Sequence, residues 1–299
     1  MTAAAIDLGS YLARRKALVE EALDRFVSPA GGAPPRIIAA VRYSLFAGGK
    51  RLRPILCLAA AEAVSDAWES ALPCACALEM IHTYSLIHDD LPAMDDDDYR
   101  RGRPTNHIVF GEGLAILAGD ALLTEAFHLL ADPGLMPGVT PETRLEVLRL
   151  VAGAAGMTGM VGGQVMDLEG EGETLAALTD MHRRKTGALL TASVVAGAVI
   201  AGASPAQRDI LTRYGRKIGL AFQIADDILN VTGDSARMGK STGSDAVRGK
   251  KTFPSLLGLE ASRLKLAELV DGAAADARQL GDSSGILVQI ADYIRERNI

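Results

Sequence analysis

The sequence predicts an all-α fold in a single domain spanning residues 1–299, and three observations predict it. Apolar residues recur at helical spacing through most of the chain. Nothing alternates with a period of two for long enough to make a sheet, and aromatic residues are only 4% of the composition, which disfavours strands. The breaks between helical stretches are short, and none reads as an interdomain linker. With 299 residues, 48% of them hydrophobic, the chain can bury a large core.

The elements follow in order. The first segment, through Tyr11, Arg14, Arg15, Lys16, Glu20 and Glu21, is polar and amphipathic and has no apolar signal core. Gly and Pro clusters mark helix ends from Ser28 to Pro35, at Gly48-Gly49, from Asp132 to Pro141, from Glu169 to Thr174 and from Gly233 to Gly249. Between them, Ile38, Val41 and Leu45 mark one apolar helix face. Met80, Ile81, Tyr84 and Ile87 mark a second, and Leu114, Leu117 and Leu122 a third. Gly153, Gly156, Gly159, Gly162 and Gly163 stand at roughly one-turn intervals, a spacing that predicts close approach of helix backbones. The uncharged stretch from Thr186 to Gln207 is the single membrane-span candidate. It is rich in Ala, Gly, Ser and Thr and is closed by Pro205, which predicts a buried central helix in a protein not integral to the membrane.

A formal net charge of −6 excludes nucleic acid and anionic membranes as expected partners, because both reward a basic surface. The acid is also unevenly placed: six of the 37 acidic residues fall between Asp89 and Asp98, a local charge as large as the whole net imbalance. Cys57, Cys74 and Cys76 are an odd number, with no C-x-x-C and no disulfide-framework spacing, so packed core thiols and a cytoplasmic location are expected.

The strongest chemical signal is Asp89-Asp90-Leu91-Pro92-Ala93-Met94-Asp95, which closes an apolar helical run. Pro92 predicts that the helix stops or bends there and lets Asp95 fold back toward Asp89, an arrangement that suits a hard cation such as Mg²⁺. A second acidic pair, Asp226-Asp227, closes the apolar stretch Ile218 to Ala225, with Gln223 one turn earlier. Two such helix ends facing one another across a cavity would hold metal with an anionic ligand between them. The cations of Gly48-Gly49-Lys50-Arg51-Leu52-Arg53-Pro54, Arg100-Arg101, Lys185, Lys240 and Lys250-Lys251 then suit a diphosphate, which guanidinium groups grip bidentately.

Taken together, these motifs resemble the trans-isoprenyl diphosphate synthases, and most closely the bacterial farnesyl type. The matching stretches are Gly48 to Pro54, Ser85 to Asp98, Arg100-Arg101-Gly102, Gly119-Asp120-Ala121-Leu122, Gly163-Gln164-x-x-Asp167, Lys185-Thr186-Gly187, Phe222-Gln223-x-x-Asp226-Asp227 and Gly239-Lys240. The resemblance implies a helical bundle around a central active-site cavity, a homodimer, and three Mg²⁺ ions per active site. By it, Asp89 and Asp95 would bind two ions and Asp226 a third. Arg100, Lys185 and Lys240 would contact the allylic diphosphate, and Lys250 would line that side. Lys50, Arg53, His82 and Arg101 would hold isopentenyl diphosphate. The allylic C–O bond would break, the isopentenyl double bond would attack the carbocation, and the departing diphosphate would take the proton. The Lys185 carbonyl, the Thr186 hydroxyl and the Gln223 amide oxygen would stabilise the cation as dipoles.

Chain length turns on the helix that carries Asp89. Tyr84 lies five positions earlier, a rise of about 7.5 Å, and Ser85 four positions earlier, nearly in line with Asp89. Within the resembled family a bulky ring at position 84 matches the farnesyl type and small residues the longer-product enzymes, so the alternative product is geranylgeranyl diphosphate. Three other readings compete. His88-Asp89 spells the pair of helical metal phosphohydrolases, but His82, His107, His128 and His182 form no second such pair. His88 is then expected to orient a carboxylate and His128 to lie on a helix face. Asn230 replaces a common fifth-position Asp, and Asp226-Asp227-x-x-Asn230-x-x-x-Asp234 echoes terpene cyclases, against which Lys50, Arg53 and Arg101 argue by serving a second diphosphate. A non-catalytic helical binding protein would have lost metal ligands or cations, and neither is lost.

Overall fold

The structure is a computed structural model that describes residues 7–28, 32–232 and 250–296. Helices dominate it. They are α1 (Leu8–Phe26), α2 (Pro35–Leu45), α3 (Leu52–Glu62), α4 (Leu72–Asp89), α5 (Asn106–Phe110), α6 (Glu112–Ala131), α7 (Pro141–Ala155), α8 (Met160–Leu168), α9 (Leu175–His182), α10 (Ala188–Ile200) and α11 (Pro205–Thr232). After residue 250 come α12 (Phe253–Leu257), α13 (Leu259–Arg278) and α14 (Gly285–Glu296). Helix starts follow the local chemistry. Asp7 caps α1 by accepting from the Ser10 N–H at 2.8 Å, Thr140 caps α7 ahead of Pro141, and Thr252 and Ser255 form a reciprocal capping box on α12.

The core divides into two apolar clusters with α10 between them. Leu189, Ala196 and Val199 of α10 pack with Leu78, Met80 and Ile81 of α4 and Leu122 of α6. Leu190, Val194 and Ala198 face the other way, toward Tyr214 and Ile218 of α11 and Ile290 of α14. Helix α10 is therefore the buried central helix expected of the Ala- and Gly-rich stretch, and its small residues let α3 come close. A Cβ at Gly197 would overlap the Cys57 carbonyl. The three cysteines are free and buried, as expected of core thiols.

Several expectations need correction. The stretch 186–207 is not one helix, since α10 is only 13 residues long and too short to span a bilayer. The stretches that are long and apolar enough are instead Glu112–Ala131, a single helix, and Pro141–Leu168, which is broken between α7 and α8. Of the glycine stripe, only Gly163 brings two elements together, because a Cβ there would overlap the Lys185 backbone. Gly156 and Gly159 break the chain between α7 and α8 and crowd their own preceding carbonyls. One short antiparallel pair, β1 (Tyr99–Arg100) and β2 (Arg103–Pro104), also forms; Arg101 and Gly102 turn it with positive φ of 53° and 72°. Two-residue strands leave no alternating pattern to detect.

Gly197→Ala should force α3 and α10 apart and cost about 1–3 kcal/mol of stability. Urea unfolding of the purified variant measures this, and an unchanged midpoint would contradict the close approach.

Candidate active site

Helix α4 ends where Pro92 can no longer be accommodated, and the chain curls back on the helix end. The Asp95 N–H donates to the Asp89 carbonyl at 2.9 Å, and the Asp97 N–H to the Asp90 carbonyl at 3.2 Å. Asp95 thus folds back as the sequence predicts. The segment does not act as one block of charge. Asp90 is buried and accepts two bonds from Arg100 Nε, at 2.7 and 2.9 Å, with Arg100 Nη2 at 2.6 Å and Asp97 at 3.9 Å from the same group. Arg100, expected on the allylic diphosphate, is held by Asp90 here and locks the β1–β2 turn to the end of α4. Burial pushes the Asp89 carboxyl up to about 6, Asp95 and Asp90 adding to the shift while Lys185 and Arg100 oppose it. A carboxylate in this setting is stabilised by any cation placed beside it.

The opposite wall carries the lysines. Residues Arg183–Gly187 form a π-helical turn between α9 and α10, and Gly163 of α8 seats directly against its backbone at Lys185. Asp167, one turn after Gly163 on α8, accepts from Lys185 Nζ at 2.6 Å and from Lys250 Nζ at 2.8 Å, and Lys250 also stands 3.6 Å from Asp95. Burial alone would raise Asp167, but Lys185 and Lys250 outweigh it and hold the carboxyl below its usual range. Asp95, Asp167, Lys185, Gln223, Asp227 and Lys250 line one cavity of about 410 Å³. Thr186 is buried in the same turn.

Helix α11 supplies the second acidic pair and splits it; the pair does not close the helix as expected, because the helix continues to Thr232. Asp227 is buried and accepts from the Phe253 N–H at 2.8 Å and from His182 Nε2 at 3.3 Å, while the His182 ring stacks on Phe253. It therefore pins the segment that carries Lys250. Asp226 is half-buried and close enough to Arg53 to act on its charge. Burial pushes the Arg53 guanidinium down to about 10, with Glu79 and Asp226 opposing and Arg101 adding.

The remaining cations gather around α3 and the start of α4. Lys50 lies 5.8 Å from the Tyr293 ring centroid, and Arg101 donates to the Gly48 carbonyl. Gly49 is required there, since it has φ 125° and a Cβ would come within 2.8 Å of the Arg101 guanidinium. His82 is half-buried; burial and then the neighbouring Arg53 and Arg101 hold it well below its usual value, so it is neutral. Arg51, by contrast, is structural: it pairs with buried Glu79 at 2.8 Å and donates to the Leu45 carbonyl at 2.7 Å. Lys240 and Asp234 lie outside the described residues.

Tyr84 is buried, with its ring edge-on to His88 at 5.7 Å, and the half-buried Ser85 hydroxyl donates to the His82 carbonyl at 2.8 Å. His88 orients no carboxylate of the acidic motif. Its Nε2 donates to the Ile116 carbonyl at 3.0 Å and stands 4.0 Å from Asp120, so its role is to fasten α4 to α6. His128 lies on an exposed helix face beside Glu125, as expected. Sequence reasoning quoted Asp167 without giving it a role, and it missed Asp227 as an anchor. The one signal for Asp167 was its spacing of about a turn from Gly163 and Gln164.

The donor set fits a hard cation. Asp89 and Asp95 are carboxylates joined by a backbone turn, and among the described residues no three His, Cys, Asp or Glu side chains already converge on one point. Mg²⁺ is commonly held this way, by one or two carboxylates with the rest of its shell from water and phosphate. Arg53 Nε and Gln164 Nε2 are buried with no hydrogen-bond partner among the described residues, donors that an incoming anion would satisfy.

A helical bundle with one acidic pair at the end of α4, a second within α11, and lysines lining a cavity with Asp95 and Asp227 defines a prenyltransferase of the trans-prenyl diphosphate synthase class. Comparison with known proteins agrees: a family model described as polyprenyl synthetase matches residues 34–282, and the chain belongs to that family. It is 49% identical over 296 residues to a geranylgeranyl diphosphate synthase of Cyanophora paradoxa, covering 98% of this chain and 97% of that one. It is 46% identical over 299 residues to a farnesyl diphosphate synthase of Geobacillus stearothermophilus, covering 99% of each. Among solved structures, an FPP/GFPP synthase from Zymomonas mobilis superposes with a TM-score of 0.85 at 38% identity, covering 98% of this chain and 100% of that one.

Because its folded carboxyl titrates below the usual range, Asp167 contributes stability above about pH 4 and loses it as pH falls through the folded value. Asp167→Asn should therefore be less stable than the wild type at pH 7, with the gap closing as the pH is lowered below about 4. Urea midpoints across a pH series measure it; a gap independent of pH would show that the lysine contacts are not what Asp167 contributes.

Proposed function

We propose that this prenyltransferase makes farnesyl diphosphate by adding isopentenyl diphosphate to dimethylallyl and then geranyl diphosphate. The observation that carries the reading is Tyr84, a buried ring on the helix that ends at Asp89, about 7.5 Å before it along the axis. The tail of the growing product extends away from the carboxylates, and a ring at that depth stops it at about fifteen carbons.

The roles follow from the chemistry of each group. Asp89 and Asp95 hold two Mg²⁺ ions and Asp226 a third; when bound, the ions supply positive charge to the departing diphosphate. Lys185 and Lys250, already paired with Asp167, turn to the allylic diphosphate, joined by Arg100 and by Lys240 from outside the described residues. Lys50, Arg53 and Arg101, with neutral His82, bind isopentenyl diphosphate as a separate anion. The Lys185 carbonyl and the Thr186 hydroxyl of the π turn, with the Gln223 amide oxygen, stabilise the carbocation as dipoles, not as covalent partners. The proton leaves to the diphosphate.

The name of the Cyanophora relative favours a second reading, a geranylgeranyl product. Product analysis after incubation with Mg²⁺, isopentenyl diphosphate and each of three allylic primers decides between them. The wild type is expected to stop at fifteen carbons and Tyr84→Ala to release longer chains. A mostly twenty-carbon wild-type product, or an unchanged Ala profile, would overturn the reading.

Asp89→Ala should lower turnover about a thousandfold, or about 4 kcal/mol of barrier, with the fold intact. Near-normal turnover would remove Asp89 from the metal set.

The chain acts as one catalytic domain and as a homodimer in the cytoplasm. Support for the dimer comes from the outward apolar residues Ile108, Val109, Ile116 and Leu117 of α5 and α6, and support for the compartment from the three free thiols. Light scattering at twice the chain mass and recovery in the cytosolic fraction are the expected results; a monomer or a membrane-bound fraction would refute them.

A further inference from the structure

A second cavity, of about 730 Å³, opens between α7, α10, α11 and α13, outside the reaction cavity. The π turn is the wall between the two. His182 and Lys185 line the reaction cavity, whereas Arg183 and Gly187 line the second. The volume lies in the range of small-molecule sites, about 300–1,000 Å³. Its walls are aliphatic, from Leu150, Ala188, Ala192, Leu220 and Leu269, and the space over Gly153 is open, since an added Cβ there would meet nothing within 4 Å.

The charge of this cavity is opposite to that of the protein. Arg149, Arg183, Arg216 and Lys217 line it, no Asp or Glu among the described residues does, and the chain as a whole carries −6. Lys217 is committed to Asp276 and to the Gly272 carbonyl. The three arginines are exposed and make no hydrogen bond or ion pair among the described residues. Of the other surface arginines, Arg184 pairs with Asp180, Arg208 with Glu146, Arg213 with Asp276 and Arg295 with Asp271, while Arg36 and Arg278 stand unpaired among the described residues; here three such groups share one hollow. Guanidinium groups left together beside an aliphatic hollow match one ligand chemistry, a phosphate head on an apolar tail, because the planar fork grips phosphate oxygens and the walls take the chain.

We propose that this cavity is a binding site for an alkyl phosphate, separate from the reaction cavity and independent of metal. The test is calorimetric titration of geranyl monophosphate into the full-length protein in EDTA, with geraniol as the uncharged control. Arg183→Gln/Arg216→Gln removes the cations, and Ala154→Trp fills the hollow with the cations intact. Lys185→Gln reports on the reaction cavity. Binding should weaken at least tenfold in both cavity variants and persist in Lys185→Gln, with turnover of the cavity variants within twofold of wild type as the check on folding. The proposal is overturned if geranyl monophosphate does not bind, if geraniol binds equally well, or if binding is lost only in Lys185→Gln. It is equally overturned if the cavity variants change the oligomeric state without affecting binding, which would assign the hollow to a contact between chains.

Discussion

One carboxylate lets the reaction cavity hold its charges: Asp167 between Lys185 and Lys250. Two ammonium groups at hydrogen-bonding distance from a single oxygen would repel one another without it, and an effective dielectric well below that of water sharpens the repulsion. The cost of burying Asp167 is met by the same two contacts. That arrangement in turn needs α8 close to the π turn, which only a residue without a Cβ at position 163 allows. Placement of the lysines thus rests on backbone packing between α8 and the π turn that carries Lys185.

Each acidic pair divides its work in the same way. The second residue of the first pair, Asp90, is buried against Arg100, and the second residue of the other, Asp227, is buried against the Phe253 amide and His182. The first residues, Asp89 at the end of α4 and Asp226 within α11, are only half-buried. Adjacent residues on a helix point about 100° apart, so the second carboxylate of a pair can anchor a neighbouring segment while the first points elsewhere. Anchoring is what a buried carboxylate does well when all its partners are present. Asp90 fixes the turn bearing Arg101, and Asp227 fixes the segment bearing Lys250.

What was legible in the sequence was local. Pro92 stops α4, and the return of Asp95 to the Asp89 carbonyl follows within six residues. The helix breaks at Gly48-Gly49 and between Asp132 and Pro141 were marked by residues whose backbone preferences act on the spot. What escaped was set by partners far along the chain: Asp167 meets Lys185 across 18 residues and Lys250 across 83. The π turn escaped because no residue type favours it strongly enough to leave a pattern. The glycine stripe misled because a glycine that breaks a helix, such as Gly156, and one that admits a neighbour, such as Gly163, look alike until the neighbour is placed.

The packing beside Tyr84 shows how a residue on one helix fixes the surroundings of a side chain on another. Gly119 of α6 has no Cβ, and the His88 imidazole occupies the space one would fill. There Nε2 meets the Ile116 carbonyl, an acceptor only, so this nitrogen carries the proton and the ring is held in one orientation. Tyr84, one turn earlier on α4, sets its ring edge-on against that fixed imidazole. The hydrogen-bonded imidazole thus gives the Tyr84 ring a fixed neighbour to pack against. If the ring stops a growing tail as proposed, Gly119 and His88 contribute to that stop by fixing what Tyr84 packs against.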